Sequence, residues 1–394
     1  MIDPKDVIKR LSVERLCQTA EDYYHRIVDP RQQMGKPFSS ALEAPELLLN
    51  LGLLFSGLQL GKTMSVLDFG AGTCWLSRYL NQLGCVTISL DCSRTALELG
   101  RRLFREHPLI SDPVAEPTFL AFDGQHIELD DNSVERIVCF DTFHHVPNPA
   151  RVLDEMARVL KEGGIAGFAE PGRKHSQIPQ SQFEMTHYQV LENDVDLDEI
   201  YPLARRAGFS EARCLLSGRR EVSVPEYLAM IDHSWSRRFG KEILNHVAEL
   251  GNSKTIFFLY KGRPVPDSRN HVGLSHQLQA AQSEYQARSG EPLKISITVT
   301  NTGQARWLCR NLKSIGVVNL GAHLCDAAGA LINLDFSRSS LPQDVAPGET
   351  FNQTIPLSFD RPGRYRVALD LVAEHVCWFE SVGSQPLWIT VEVG

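Results

Sequence analysis

The stretch Val66-Leu-Asp-Phe-Gly-Ala-Gly-Thr-Cys-Trp75 decides how the larger part of the chain folds. An apolar run stops at two glycines one residue apart. Trp75, Leu76, Tyr79, Leu80 and Leu83 then recur at helical spacing until Gly84. Gly70 and Gly72 let the backbone approach a ligand where a side chain would collide. They fall at the C-terminal edge of the first strand, where open α/β sheets bind ligands. Asp68, just ahead of them, would repel a pyrophosphate but suits a cationic amine. Asp91 closes the next strand, Cys85–Leu90, and can accept hydrogen bonds from both hydroxyls of a ribose.

Working outward, strand and helix patterns alternate. Ser93 can N-cap a helix whose inner face carries Ala96, Leu97, Leu103 and Phe104. Thr118–Phe122 and Val134–Phe140 read as strands. Asn148-Pro149 opens a helix that buries Val152, Leu153, Met156, Val159 and Leu160 and ends at Gly163-Gly164, with a strand over Gly164–Ala169. Leu197–Ala207 reads as a helix, and Ala212–Ser217 and Thr255–Tyr260 read as strands. A helical insertion at 222–250 separates those two strands, and residues 1–60 are helical by pattern. Short apolar strands alternating with helices predict an α/β fold, a mostly parallel sheet with helices on both faces. The first domain is placed at residues 61–261, behind a helical cap of residues 1–60.

The polar stretch 262–273 contains two prolines and no helical period, and is taken as a linker. Beyond it the period changes: Leu293, Ile295, Ile297 and Val299 alternate with polar residues. Strand signals recur near Gly316–Leu324, Phe351–Leu357, Tyr365–Leu371 and Leu387–Val393, punctuated by Ala346-Pro-Gly348 and Arg361-Pro-Gly363. Residues 274–394 therefore predict a separate all-β sandwich.

Composition narrows the function. The net charge is −8 and basic residues cluster only in pairs such as Arg205–Arg206, which argues against nucleic acid as a partner. No run of about 18 apolar residues exists, so no membrane span is expected. The start, with Asp and Glu among its basic residues and no apolar core, does not read as a secretion signal. Nine cysteines without paired spacing suggest reduced thiols and a cytoplasmic location, and neither a disulfide framework nor a metal site. Oligomeric state stays open.

Residues 64–170 resemble the class I S-adenosylmethionine (SAM)-dependent methyltransferases, which implies a Rossmann-like fold with SAM as cofactor. In that family the acid before the glycines and the glycine loop hold the methionine end, matching Asp68, Phe69, Gly70, Ala71 and Gly72. The acid closing strand two holds the ribose, matching Asp91 followed by Cys92. An acid after strand three takes the adenine amino group, matching Asp123 with Gly124. Val138-Cys-Phe-Asp141 matches the segment under the methionine, which brings in Phe140. Cys74 stands where the family usually has a third loop glycine. A nicotinamide-binding fold would need a glycine at position 75, where Trp75 stands, and no acid before the loop.

Methyl transfer to oxygen needs an aligned acceptor and a base. Asp141-Thr-Phe-His-His-Val146 offers His145, and otherwise His144, although one of a His pair can simply pack the loop. A polar loop after Glu170-Pro-Gly172, containing His175 and His187, is expected over the acceptor, with His187 itself read first as a solvated helix residue. Tyr23 and Tyr24 could cap the cofactor or be core. Asp130-Asp131 lies on a turn and reads as solvated, so no metal is expected. In the tail, Trp307, Tyr365, Trp378, Phe379 and Trp388 could stack on sugars, but a sandwich core also uses such rings. The segments Asn301–Trp307 and Cys377–Gly383 resemble immunoglobulin-like domains of bacterial polysaccharide enzymes and of O-antigen exporter ATPases. Together these resemblances imply a sugar or glycan acceptor. A small natural product or lipid acceptor, and a SAM-binding scaffold without turnover, are the alternatives.

Overall fold

The computed structural model describes residues 1–107, 113–215, 224–225 and 254–394. The chain divides into two compact units, Met1–Leu60 with Met64–Pro264 and Gly61–Thr63 with Val265–Gly394.

The first unit opens with α1 (Pro4–Arg10), α2 (Val13–Arg26), α3 (Arg31–Met34) and α4 (Ala44–Leu58). Its sheet contains β1 (Ser65–Phe69), β2 (Val86–Asp91), β3 (Thr118–Ala121), β4 (Val134–Phe140), β5 (Leu160–Pro171), β6 (Glu211–Leu215) and β7 (Lys254–Tyr260). The strand order is β3-β2-β1-β4-β5-β7-β6. All neighbours are parallel except β7, which runs antiparallel to both β5 and β6. From β1 the chain moves outward through β2 to β3, then crosses back to β4. The direction of winding therefore reverses beside β1, where a crevice opens at the carboxyl ends of the strands. Helices α5 (Trp75–Gln82), α6 (Arg94–Glu106), α7 (Pro149–Val159), α8 (Pro179–His187) and α9 (Leu197–Ala207) complete the unit.

Burial follows the apolar runs. Val66, Leu67, Ile137, Val138, Cys139, Ala166 and Phe168 are fully enclosed, as strands covered on both faces require. Phe168 and Phe257 stack with centroids 4.6 Å apart, which fixes the antiparallel β7 against β5. The helix expected to run to Gly163-Gly164 instead ends at Val159. Strand β5 begins at Leu160, with Gly163 at φ 78° and a register shift against β4 absorbing the early start. The helical insertion expected at 222–250 lies, but for residues 224–225, outside the described residues.

The second unit is built from β8 (His276–Ala280), β9 (Glu284–Ala287), β10 (Leu293–Asn301), β11 (Val318–Asp326), β12 (Leu331–Ser340), β13 (Thr350–Leu357), β14 (Gly363–Ala373), β15 (Cys377–Trp378) and β16 (Leu387–Val393). They form a three-stranded sheet, β13-β10-β8, and a six-stranded sheet, β12-β11-β14-β16-β9, with β15 beside β14. Pairing is antiparallel except between β16 and β9. Ile295, Ile297 and Val299 from one sheet share a core with Leu320, Leu369 and Val391 from the other. Trp307 and Phe379 belong to that core, whereas Trp378 is half-buried and Trp388 is 42% exposed. Three strands carried no clear signal: β8, β9 and β12, whose Leu331, Ile332 and Leu334 face outward and so break the expected alternation.

The stretch taken as a linker, 262–273, is ordered differently. From Val265 it belongs to the second unit. Ser268 is fully buried there, donating from its hydroxyl to the Gly316 carbonyl (2.6 Å) and accepting from the Leu308 N–H (2.9 Å).

Candidate functional site

The turn after β1 is shaped by its two glycines. Gly70 and Gly72 have φ of +72° and +53°, a region that side chains rarely adopt. A β-carbon on Gly70 would stand 1.8 Å from the Thr142 methyl, and one on Gly72 would stand 2.7 Å from the Tyr24 hydroxyl. The position without the third glycine is resolved by a swap. Cys74 itself takes a left-handed conformation (φ 58°) ahead of α5. Its sulfur occupies space left by a glycine on α6: a β-carbon on Gly100 would meet it at 2.3 Å.

Asp91, at the end of β2, braces this loop. Its Oδ2 accepts from the Gly72 N–H and its Oδ1 from the Ser93 N–H, each at 2.8 Å. Burial pushes its carboxyl above the usual range, and these two N–H groups oppose that. Asp68 is differently placed. Its carboxylate is buried behind the loop, accepting from Ser77 Oγ at 2.6 Å, and burial pushes it up to about 7. Asp123 is exposed, with Oδ1 accepting from the Gln125 and His126 N–H groups, both at 2.7 Å. Neither Asp68 nor Asp123 lines the cavity described next, although Phe69 and Gly70, and Phe122 and Gly124, do.

That cavity, of about 400 Å³, lies at the carboxyl ends of β1, β2 and β4 and under α2. Gly70, Ala71, Gly72, Asp91, Cys92, Phe140 and His145 line it, with Tyr23 and Tyr24 above them. Helix α2 is fixed there by Glu21, which accepts from Ser93 Oγ (2.5 Å), Thr95 Oγ1 (2.7 Å) and the Thr95 N–H (3.1 Å) at the start of α6. Cys17 on α2 brings its sulfur to 3.0 Å from that of Cys92. Among the described residues the wall carries Asp91, Glu184 and Glu192, with Asp141 paired to Lys254 at 2.5 Å, against Lys36, so its charge favours a cation.

The two adjacent histidines divide their duties. His144 is buried, and its Nδ1 lies 2.8 Å from Oε2 of Glu170. Glu170 also accepts from the Thr142 and Phe143 N–H groups, each at 2.9 Å. Burial pushes the Glu170 carboxyl up, and these N–H groups oppose that. Burial holds the His144 pKa well below the usual imidazole value, leaving the ring neutral. His145 reaches the cavity, with Nδ1 donating to the Leu191 carbonyl at 2.5 Å, which leaves the ring's lone pair on Nε2. His175 also lines the cavity and bonds Glu192 (Nε2–Oε2, 2.7 Å), whereas His187 is exposed on α8 and stacks on Phe183.

Glu192 was invisible to sequence reasoning. It sits in a polar coil with no motif around it, and only folding brings it beside residues some fifty positions earlier in the chain. Burial alone would raise its carboxyl, but His175 and the adjacent imidazoles hold it below the ordinary value.

Residues 67–168 match the family model described as a methyltransferase domain. This stretch is a methyltransferase domain. It is similar to sarcosine/dimethylglycine N-methyltransferase of Halorhodospira halochloris, 35% identical over 29% of this chain and 39% of that protein. It is similar to methyltransferase GfsG of Streptomyces halstedii, 32% identical over 30% and 41%. A ubiquinone biosynthesis O-methyltransferase of Glaesserella parasuis is 30% identical over 25% and 42%. The chain thus spans about two fifths of the length of these relatives. The cofactor of the methyltransferase domain is S-adenosyl-L-methionine, and the cavity fits it. The glycine turn has no room for a β-carbon, the volume suits a ligand of that size, and the acidic wall suits a molecule carrying a sulfonium and an ammonium. Among the described residues, no helix is long and apolar enough to cross a membrane.

Proposed function

We propose that the chain transfers the methyl group of SAM to a sugar hydroxyl of a surface polysaccharide or its precursor, releasing a methyl ether, S-adenosylhomocysteine and a proton. The observation that carries the methyl-transfer reading is the convergence of the Gly70–Gly72 turn and Asp91 on one cavity where the winding of the sheet reverses. In this reading the backbone of Gly70–Gly72 receives the methionine end and Asp91 the ribose hydroxyls. Cys92, Phe122 and Gly124 flank the adenine, with Oδ2 of Asp123 available to its amino group. Asp68 acts through the loop it supports. His145 presents Nε2 to the acceptor hydroxyl, and His144 holds the loop through Glu170.

The sugar is favoured by the second unit, whose resemblance to immunoglobulin-like domains of polysaccharide enzymes is part of this proposal. One tryptophan stands exposed at its surface with a cation over it, Trp388 with Arg366 4.6 Å from the ring centre, whereas Trp378 is packed between Arg338 and His323. A flat ring beside a donor-rich guanidinium suits the C–H face and hydroxyls of a sugar. A small-molecule acceptor is the second reading, favoured by the names of the relatives, which include sarcosine/dimethylglycine and ubiquinone-pathway methyltransferases.

The test is transfer of labelled methyl from SAM to separate pools of nucleotide sugars, polysaccharide, lipids and small metabolites. Label in a carbohydrate pool supports the sugar acceptor. Label only among lipids or metabolites moves the assignment to the second reading. SAM binding without label in any pool leaves a scaffold.

A further inference from the structure

We infer that Cys17 and Cys92 are a site of reversible oxidation, at which a disulfide ties α2 to the end of β2 and fixes the roof of the cavity. Cys17 is on α2, and Cys92 directly follows β2, 75 positions further along the chain. Their sulfurs are 3.0 Å apart, about 1 Å more than the length of the bond they would form. Both residues are half-buried and line the cavity, so a small oxidant entering it meets them.

Helix α2 is lightly anchored. Of its 14 residues, Leu16 and Thr19 are the buried ones, and Leu16 packs with Val7 and Leu191. Hydrogen bonds add to this hold, those of Glu21 to Ser93 and Thr95 and one from Gln125 Nε2 to Glu14 Oε1 at 2.8 Å. An element with so little apolar burial opens locally at low cost. Yet α2 covers both ends of the cavity. The Cys17 sulfur lies 2.7 Å from where a β-carbon on Gly124 would stand, on the wall assigned to adenine, and the Tyr24 hydroxyl stands equally close over Gly72 in the glycine turn. One covalent link at Cys17 therefore restrains a helix that spans the site.

Once one thiol has lost its proton, the other can donate its S–H to the thiolate. This hydrogen bond holds Cys17 below the ordinary thiol value, against burial and the nearby Asp123, Asp91 and Glu14, and pushes Cys92 up. Cys17 is thus the attacking sulfur. With hydrogen peroxide as oxidant, its thiolate attacks one oxygen and the O–O bond breaks. A sulfenic acid forms on Cys17, and the departing hydroxide takes up the proton that the thiol released. The Cys92 sulfur then attacks the Cys17 sulfur, and the hydroxyl leaves as water with the Cys92 proton. Two thiols and one peroxide give one disulfide and two waters, with two electrons passing from sulfur to oxygen. A dithiol restores both thiols by exchange. A tethered α2 slows entry and departure of the cofactor, a consequence that rests on the methyl-transfer reading, whereas the bond itself does not.

The experiment treats the full chain with hydrogen peroxide and maps its peptides by mass spectrometry without reduction. Hydrogen exchange of α2 and the kinetics of SAM binding are followed before and after. The expected product is a peptide pair joined through Cys17 and Cys92. The amides of α2 should then exchange at least about tenfold more slowly, SAM association and release should slow by a similar factor, and dithiothreitol should reverse both. Under the same treatment Cys92→Ser should stop at a sulfenic acid on Cys17, trapped by dimedone, with α2 exchange unchanged. Absence of the Cys17–Cys92 link in the unsubstituted chain overturns the site. So does a link that leaves α2 exchange unchanged, or slowed exchange in the treated Cys92→Ser chain. Unchanged SAM kinetics in a linked chain overturns the control of the cofactor. A link with slowed exchange in a chain that binds no SAM in either state would instead sink the methyltransferase reading and leave the disulfide standing.

Discussion

Each unit of the chain buries histidine against acid, but the two clusters are built to opposite ends. In the second unit His276 on β8 and Asp370 on β14 are both fully enclosed and hydrogen-bonded, tying the three-stranded sheet to the six-stranded one through the core. The other oxygen of Asp370 accepts from the Glu380 N–H at 2.9 Å, and Nδ1 of the nearby His323 is taken by the Leu334 carbonyl. In the first unit the cluster stands at the carboxyl ends of parallel strands, where the chain must leave the sheet. His145 and Glu192 there line the cavity. The same residue types thus bridge two sheets inside a core in one unit and face a cavity in the other.

The sharpest way to break this contrast is to remove a partner from the closed cluster. Asp370→Ala should cost about 3–5 kcal/mol, because it strands a buried histidine, while leaving SAM affinity intact. Chemical denaturation of the full chain measures the first and calorimetry the second. A loss below about 1 kcal/mol would mean that the His276 contact does not hold the sheets.

The open side has a pH signature of its own. Asp68 titrates at about 7 in the folded protein against about 4 unfolded, so folding favours its protonated form. That contribution is complete below pH 4 and is lost as pH rises through 7, at about 1.4 kcal/mol per unit of difference. Stability of the ligand-free chain should therefore fall across that window, and Asp68→Asn should flatten the fall. An unchanged slope in the variant would assign the dependence to other groups.

His145→Ala should spare SAM binding and lower turnover about a hundredfold. His144→Ala should instead loosen the Thr142–His145 turn, since its ring occupies the carboxylate that also receives that turn's N–H groups. Equal turnover losses with equal stability losses would erase the division of roles between the two rings.

How much of this could be seen in the sequence follows from range. The glycine turn, Asp91 and the Ser93 cap are local, set by a strand ending and a helix beginning, and Ser93 does accept from the Ala96 N–H at 3.0 Å. The strands β10, β13, β14 and β16 were legible because one face of each meets the core. β12 was not, because its apolar residues face outward, and Ser268 was not, because nothing in a Pro-rich stretch announces a buried serine. The direction of the Asp68 carboxylate depends on Ser77 on the next helix, and the Glu192 cluster on a coil returning to the end of β4. Motif spacing places a residue at the sheet edge without saying which neighbour its side chain will meet.

Asp91 tests the open end at its most local point. Replacing it with alanine removes the acceptor of the Gly72 and Ser93 N–H groups as well as the proposed partner of the ribose hydroxyls. SAM affinity should fall by about 1–3 kcal/mol, the cost of hydroxyl hydrogen bonds left unmade. Asp91→Asn separates the two contributions, because an amide oxygen can still accept from the Gly72 N–H while its NH₂ cannot accept from a hydroxyl. If the asparagine variant binds SAM as weakly as the alanine one, the carboxylate's contact with the ribose governs affinity. If it binds like the unsubstituted chain, Asp91 matters by shaping the turn, and the open cluster is held in place much as the closed one is. Unchanged affinity in both variants would place the cofactor elsewhere.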